Sequence, residues 1–159
     1  MGAKLMKCSV CGGQTTKVKE VKKAKYRDEI VEVGTELFRC DSCGEGFVTP
    51  EQMRAHARAV KNEVRKLHGL LPPEGIVAIR EKLGLTQNAL EEALGTGPKV
   101  VVRWESGKVI QSRGHDNMLR VLDRDPSVLK YLRIIQELRS KEQENYAPVR
   151  ADHQAVARS

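Results

Sequence analysis

Two short cysteine motifs constrain this chain more than any other feature. Cys8-Ser9-Val10-Cys11-Gly12 and Cys40-Asp41-Ser42-Cys43-Gly44 hold all four cysteines of the 159-residue sequence. A Cys-x-x-Cys step lets two sulfurs reach one tetrahedral metal ion, and two such steps complete a shell of four thiolates. The glycine after each pair supplies the positive φ that such a turn commonly needs. The pattern therefore predicts one structural zinc ion (Zn2+), held by Cys8, Cys11, Cys40 and Cys43.

Four other uses of these cysteines can be compared with a structural zinc site. Disulfides suit a secreted protein, but no apolar signal segment precedes Cys8. A redox Cys-x-x-Cys usually occurs once, beside a βαβ pattern, and not as a matched pair. A catalytic zinc needs an open coordination position, which four thiolates do not leave. An iron–sulfur cluster also takes four thiolates, and the spacing leaves zinc and iron both open.

The overall charge and hydropathy indicate a class of partner. The chain carries 28 Lys and Arg against 21 Asp and Glu, and such a surplus suits a nucleic acid. No apolar run approaches the roughly 18–20 residues needed to cross a bilayer, so no membrane association is expected. Free thiols without a targeting signal favour the cytoplasm.

The first domain, residues 1–69, is expected to be α+β, with a small antiparallel sheet and one helix. Short β-branched, half-polar runs lie between the two cysteine motifs, as is typical of small antiparallel strands. Five lysines lie in the first of these runs, at Lys17, Lys19, Lys22, Lys23 and Lys25. They either protect a sheet edge from pairing with other chains or contact phosphates.

The helix of this domain has a clear predicted start. Thr49 can cap it, Pro50 suits the first helical position, and Gln52 completes a capping box. Apolar residues then recur at helical spacing until Gly69 and form one apolar stripe, Met53, Ala57, Val60, Val64 and Leu67. After that, Pro72 and Pro73 form a semi-rigid joint.

The second domain, residues 70–139, is expected to be all-α and free of metal. A short helix is expected first, with one apolar face formed by Ile76, Ile79 and Leu83. The next helix covers 87–94 and is capped by Thr86. A glycine-bearing turn over 95–97 and Pro98 then lead to a third helix over 99–106. Two short helices joined in this way form a helix-turn-helix unit.

Residues 140–159 form a polar C-terminal tail without an apolar period, and we expect it to be loose.

The helix over 99–106 is the candidate recognition helix. Val101 and Trp104 share one face and predict a core contact. The residues Lys99, Val100 and Arg103 then lie on another face, which suits the DNA major groove. Arg103 could pair with guanine, Lys99 with guanine or phosphate, and Val100 with a thymine methyl. The alternative is that the two charged side chains only solubilise a helix of a bundle.

The segments Leu85-Thr86-Gln87 and Arg103-Trp104-Glu105-Ser106-Gly107-Lys108 resemble the Xre/Cro-like helix-turn-helix family. The resemblance implies that Gln87 and residues after Gly107 contact the DNA backbone, so Thr86, Gln87 and Lys108 are taken as candidates. The chain departs from many relatives at Gln111, where they carry proline. The loop over 109–114 is therefore expected to take its own path.

Combined with the paired Cys-x-x-Cys-Gly motifs and the proline joint, this domain order resembles the MqsA (YgiT-type) antitoxin family over roughly residues 6–132. The resemblance implies that the zinc domain binds a small RNA-cleaving toxin. It also implies that the second domain dimerises and represses the operon encoding both proteins. The family's base-reading Asn and Arg fall on Lys99 and Arg103. The arginine matches, so the resemblance implies the same binding mode. The lysine differs from the family's asparagine, so the resemblance does not imply the same operator sequence.

A last apolar stripe is a candidate dimer contact, because paired recognition helices must be held about 34 Å apart. Its residues are Val128, Leu129, Leu132, Ile135 and Leu138, and the alternative is that they pack only within the core, because periodicity does not say which surface is covered. The leading hypothesis is a homodimeric, sequence-specific DNA-binding repressor that is the antitoxin of a type II toxin–antitoxin pair, and not an enzyme. The alternative is a free-standing or phage-type zinc-containing regulator without a toxin. A zinc enzyme acting on nucleic acid would need a free ligand position and a His-x-Glu pair or paired carboxylates.

Overall fold

The structure, a computed structural model, describes residues 6–156, and the side chains of residues 6–145. It divides into two compact units. The first unit ends at Pro72 and also includes the later segment Gly107–Ile110. The second unit comprises Pro73–Ser106 and the chain from Gln111 onwards. Within the described part of the chain, none of the helices combines the length and apolar character required to span a membrane.

A long β-hairpin forms the sheet of the first unit. Strand β1 (Thr15–Tyr26) pairs antiparallel with β2 (Glu29–Cys40), and the short β3 (Gly46–Phe47) adds to the other edge of β2. The pairing runs without a break from Tyr26–Glu29 to Thr15–Cys40, so the far end of the hairpin brings the two cysteine motifs together. The hairpin turn contains Arg27 at φ 54°.

The sequence predicted several short strands, whereas β1 and β2 each contain twelve residues. The difference has a simple cause in β2, where Val31, Val33, Thr35 and Leu37 are buried and the residues between them are exposed. Gly34 and Glu36 therefore occupy outward-facing positions and do not interrupt the strand.

Helix α1 (Pro50–Leu67) begins with the predicted capping box, in which Thr49 and Gln52 exchange side-chain and backbone hydrogen bonds. Its Val60 and Val64 pack with two valines of β2 to form the apolar core of this unit, Val31, Val33, Val60 and Val64. The apolar stripe of α1 is buried only in part, since Met53, Ala57 and Leu67 are exposed. The half-buried His56, bonded to Thr35, lies on the inward face instead.

The second unit is all-α, as predicted. Its helices are α2 (Pro73–Lys82), α3 (Gln87–Leu94), α4 (Val100–Glu105), α5 (Arg113–Arg124) and α6 (Val128–Val156). The best-buried apolar side chains come from four of these helices and show 0% exposure: Ile76, Leu90, Val101, Leu119 and Leu122. A small α3–α4 pair is thus held on a core shared with α2 and α5.

Two boundaries in this unit differ from the sequence expectation. Helix α4 starts at Val100 and not at Lys99, because Lys99 has left-handed backbone angles of φ 61° and ψ 17° that cannot continue a right-handed helix. Helix α6 continues through Ser140 to Val156, so the backbone is helical over most of the polar tail. The last part of that tail, residues 157–159, lies outside the described residues.

Candidate metal centre and nucleic-acid interface

The two cysteine motifs fold into near-identical turns. In the first, the Gly12 N–H donates to the Cys8 carbonyl at 2.9 Å and the Val10 N–H donates to the Cys8 Sγ at 3.4 Å. In the second, the Gly44 N–H donates to the Cys40 carbonyl at 3.0 Å and the Ser42 N–H to the Cys40 Sγ at 3.4 Å. Both glycines have positive φ, 74° and 73°, which supports the sequence argument for them.

The four sulfurs meet at one point. Their Sγ atoms all lie within 4.8 Å of one another, with Cys8 3.7 Å from Cys43 and Cys11 3.4 Å from Cys40. A zinc ion bound at about 2.3 Å by four tetrahedral thiolates would separate the sulfurs by about 3.8 Å. A disulfide needs about 2.05 Å, and all four cysteines are free. The four cysteines are therefore positioned to bind a metal ion.

The protonation chemistry of the cluster also fits a cation. Backbone N–H groups of Cys43 and Ser42 lower the pKa of the Cys40 thiol to about 6. The Glu45 N–H lowers the pKa of Cys43, but the sulfurs of Cys11, Cys40 and Cys8 together with burial raise it to about 12. Four thiols gathered this closely cannot all ionise by themselves, and a divalent cation removes that obstacle.

Gly13 is a residue of this centre that the sequence reasoning did not single out. A Cβ atom at this position would lie 2.6 Å from the Ser42 Oγ and 3.2 Å from the Cys40 Sγ. A side chain at residue 13 would therefore require the Ser42 hydroxyl to rotate and the Cys40 sulfur to shift, and glycine avoids both changes. The Gly12-Gly13 doublet of the sequence was the available signal, since the turn itself needs only one glycine.

Helix α4 and the residue that precedes it, Lys99, carry three of the predicted DNA-contacting residues. Lys99 and Arg103 are exposed, and Val100 is half-buried. Val101 and Trp104 are buried at 0% and 3% exposure on the opposite face, as the periodicity predicted. The structure therefore leaves the two basic side chains free of the core, which is the arrangement that a groove-binding helix needs.

The C-terminal end of α4 is fixed by an ion pair. Glu105 accepts hydrogen bonds from the Arg80 guanidinium at 2.6 and 3.3 Å, and its carboxylate raises the pKa of Arg80. The Gln87 side-chain amide donates to the same carboxylate at 2.6 Å. These contacts tie α4 to both α2 and α3, and a carboxylate with two donors of this kind is a strong positional restraint.

The remaining candidates occupy different places. Thr86 caps α3 by accepting from the Ala89 N–H at 3.1 Å, and Gln87 begins that helix with its amide turned towards Glu105. Lys108 is exposed, but it belongs to the segment Gly107–Ile110 of the first unit. In that segment, the Val109 carbonyl accepts from the Arg65 guanidinium at 2.6 Å.

Gln111 ends the loop whose path the sequence left open. Its side chain is buried, at 2% exposure, and its amide donates to the Asp116 carboxylate of α5 at 3.0 Å. This hydrogen bond joins the loop to α5.

Comparison with known proteins identifies relatives of this chain. The family model described as "Antitoxin component of bacterial toxin-antitoxin system, MqsA" matches residues 6–133. The chain is similar to antitoxin MqsA of Escherichia coli (strain K12), at 30% identity over 131 residues, which cover 80% of this chain and 100% of the relative. It is also similar to antitoxin HigA-2 of Vibrio cholerae serotype O1, at 24% identity over 67% of this chain and 94% of the relative.

Proposed function

The chain belongs to the MqsA antitoxin family, and from this premise we propose that it is a sequence-specific DNA-binding repressor and the antitoxin of a type II toxin–antitoxin pair. It acts by binding DNA and protein, and it catalyses no reaction. The observation that carries the DNA-binding half is helix α4, which exposes Lys99 and Arg103 while its other face is buried.

The base contacts follow from the chemistry of the α4 side chains. The Arg103 guanidinium suits a bidentate pair with guanine O6 and N7, Lys99 suits guanine or phosphate, and the apolar Val100 suits a thymine methyl. Lys108 and the start of α3, at Thr86 and Gln87, contact the phosphate backbone. The net charge of +7 favours this interaction with any sequence, so it weakens steeply as salt increases.

Zn2+ is the metal that best suits four thiolates in a closed tetrahedral shell. Cys8, Cys11, Cys40 and Cys43 hold it, and it contributes folding free energy to a unit whose apolar core is small. Since all four coordination positions are filled by protein, no substrate reaches the ion. The first unit is accordingly a stabilised platform for a protein partner.

The partner of that platform is a small toxin, and the expected location of the complex is the cytoplasm. The test is co-expression of this chain with the product of the adjacent reading frame, with a tag on this chain alone. Stoichiometric co-purification supports the antitoxin assignment. If the neighbouring product does not bind but an operator duplex does, the chain is a free-standing regulator, and the toxin half of the proposal is wrong.

A homodimer formed through the second unit completes the proposal, because a two-fold repressor reads two half-sites about one helical turn apart. The predicted stripe on α6 supports it only in part, since Leu129 and Leu132 are half-buried within their own unit. Four large side chains of α6 remain exposed and are available to a second copy: Tyr131, Ile134, Ile135 and Leu138.

A further inference from the structure

The first turn of α4 lacks the side-chain cap that a helix start normally has. The first N–H groups of any α-helix have no partner within the helix, and Ser, Thr, Asp or Asn at the N-cap usually accepts one of them. Here the N-cap residue is Lys99, which makes no side-chain cap hydrogen bond. A lysine has only donors, so it cannot make one. Lys99 also has φ 61°, a conformation that is costly for a residue with a Cβ.

A carboxylate from a different helix satisfies these N–H groups. Glu91 of α3 is 5% exposed, and its Oε2 accepts from the Lys99 N–H at 3.0 Å while its Oε1 accepts from the Val101 N–H at 2.9 Å. A bidentate carboxylate is acceptor-only and makes stronger hydrogen bonds than a neutral group. Its negative charge also lies at the positive end of the α4 dipole.

We propose that Glu91 is a positioning residue for DNA recognition, and this inference rests on the proposed role of α4 in reading bases. The two hydrogen bonds fix the backbone of Lys99 in its left-handed conformation and set where the first turn of α4 starts. They therefore set the direction in which Lys99 leaves the helix start and the rotation of Arg103, four residues later. Glu91 itself does not touch DNA.

The turn between α3 and α4 fixes the backbone of Glu91. The Glu91 carbonyl accepts from the Thr96 N–H at 3.0 Å and from its hydroxyl at 3.3 Å. One residue thus binds the turn through its backbone and the next helix through its side chain. Together with the Arg80–Glu105 pair at the other end, α4 is held at both termini by groups outside itself.

The test compares Glu91→Gln with Glu92→Gln, because Glu92 is the exposed neighbour on the same helix. Both variants lose one negative charge, so both bind all DNA slightly more tightly. The probes are a duplex selected by the unmodified chain from a random-sequence pool and a scrambled duplex of the same composition. We expect Glu91→Gln to lower the ratio of selected to scrambled binding about tenfold, and Glu92→Gln to leave it unchanged. Equal ratios in the two folded variants overturn the proposal.

Two further measurements cover the other outcomes. If Glu91→Gln does not fold, Glu91→Asp keeps the charge but is too short to reach both N–H groups, and an unchanged ratio in that variant overturns the proposal. Amide hydrogen exchange of the unmodified chain should show protection of the Lys99 and Val101 N–H groups, although Lys99 itself is exposed, and exchange at the free-peptide rate overturns it. If the unmodified chain does not discriminate between the two duplexes, the proposal that this chain reads DNA sequence fails. Hydrogen exchange at Lys99 and Val101 then still tests whether Glu91 accepts their N–H groups.

Discussion

Lys99 and Arg103 carry similar charges but are presented to a partner in different ways. Arg103 extends from the last turn of α4, with a backbone N–H that donates to the Lys99 carbonyl at 3.3 Å. Lys99 precedes the helix and has left-handed backbone angles. The direction of its side chain therefore depends on the restraints around one residue, whereas that of Arg103 depends on the whole helix. We expect Arg103 to be the more selective of the two.

Replacing the two proposed kinds of DNA contact should give different results. Arg103→Ala removes a bidentate base contact, so it should cost about 1–3 kcal/mol on the preferred duplex and relax the base preference. Lys108→Ala removes a phosphate contact and should weaken all sequences alike, with a smaller salt dependence. Fluorescence anisotropy with selected and scrambled duplexes at several salt concentrations measures both effects. Equal losses on both duplexes in both variants would contradict the division of roles.

The residues that the sequence could identify are those whose signal is local. Cys8, Cys11, Cys40 and Cys43 were assigned from spacing, and the hairpin brings them together as expected. Glu91 was missed because its partners, Lys99 and Val101, lie on a later helix, and a glutamate in mid-helix usually faces solvent. The left-handed backbone of Lys99 was missed for a related reason, since the hydrogen bond that its N–H donates to Glu91 is a tertiary contact.

At the scale of elements, α1 shows the limits of a periodicity argument. Its start was predicted correctly because capping depends on adjacent residues. Its buried face could be predicted only in part. The five apolar positions form a stripe, but only the part of the helix that β2 covers is buried, and the spacing does not show which part that is. The length of β2 was underestimated, because the exposed Gly34 and Glu36 separate two apolar runs in the sequence but do not interrupt the strand.

A matched pair of substitutions on α1 tests which residues face inward. Val64→Ala should destabilise the first unit by about 1–3 kcal/mol, because Val64 is 4% exposed within the valine core. Met53→Ala should change stability by less than about 0.5 kcal/mol, since Met53 is 60% exposed. Urea unfolding of the metal-loaded chain, followed by far-ultraviolet circular dichroism, provides the comparison. A larger loss of stability for Met53→Ala than for Val64→Ala would show that Met53 also packs in the core.

At the scale of the molecule, the metal and the DNA-reading residues belong to different units. Cys8, Cys11, Cys40 and Cys43 are in the first unit, and Lys99 and Arg103 are in the second. Trp104, the single tryptophan of the sequence, is buried in the second unit. Its fluorescence therefore reports on that unit alone, and a loss of β-sheet signal reports on the first.

Removing the metal should separate the two units functionally. We expect a strong chelator to release one zinc ion per chain and to unfold the first unit, because binding and folding free energies are coupled in such sites. The Trp104 emission and the ratio of selected to scrambled DNA binding should persist, since Lys99 and Arg103 stay in place. The affinity for both duplexes should fall together, because Lys108 lies in the segment Gly107–Ile110 of the first unit. Loss of the ratio along with the metal would contradict independent units.

The exposed side of α6 determines how two copies could associate. The family match ends at residue 133, whereas α6 runs from Val128 to Val156. Tyr131, Ile134, Ile135 and Leu138 are 42–55% exposed on this helix, and such a group of large apolar side chains is typical of an interaction surface.

Disrupting this surface should therefore give a monomer. We expect the double variant Ile134→Glu/Leu138→Glu to shift the chain from dimer to monomer in sedimentation velocity, because it buries two charges in the proposed contact. The Trp104 emission should be unchanged, since both side chains are half exposed in the single copy, at 49% and 54%. Val21→Glu, at a residue 72% exposed on β1, adds a glutamate to a surface outside the contact and should leave the dimer intact. If the double variant remains dimeric, the interface lies on another surface of the second unit. If the unmodified chain binds its operator as a monomer in sedimentation velocity, the homodimer part of the proposal is wrong.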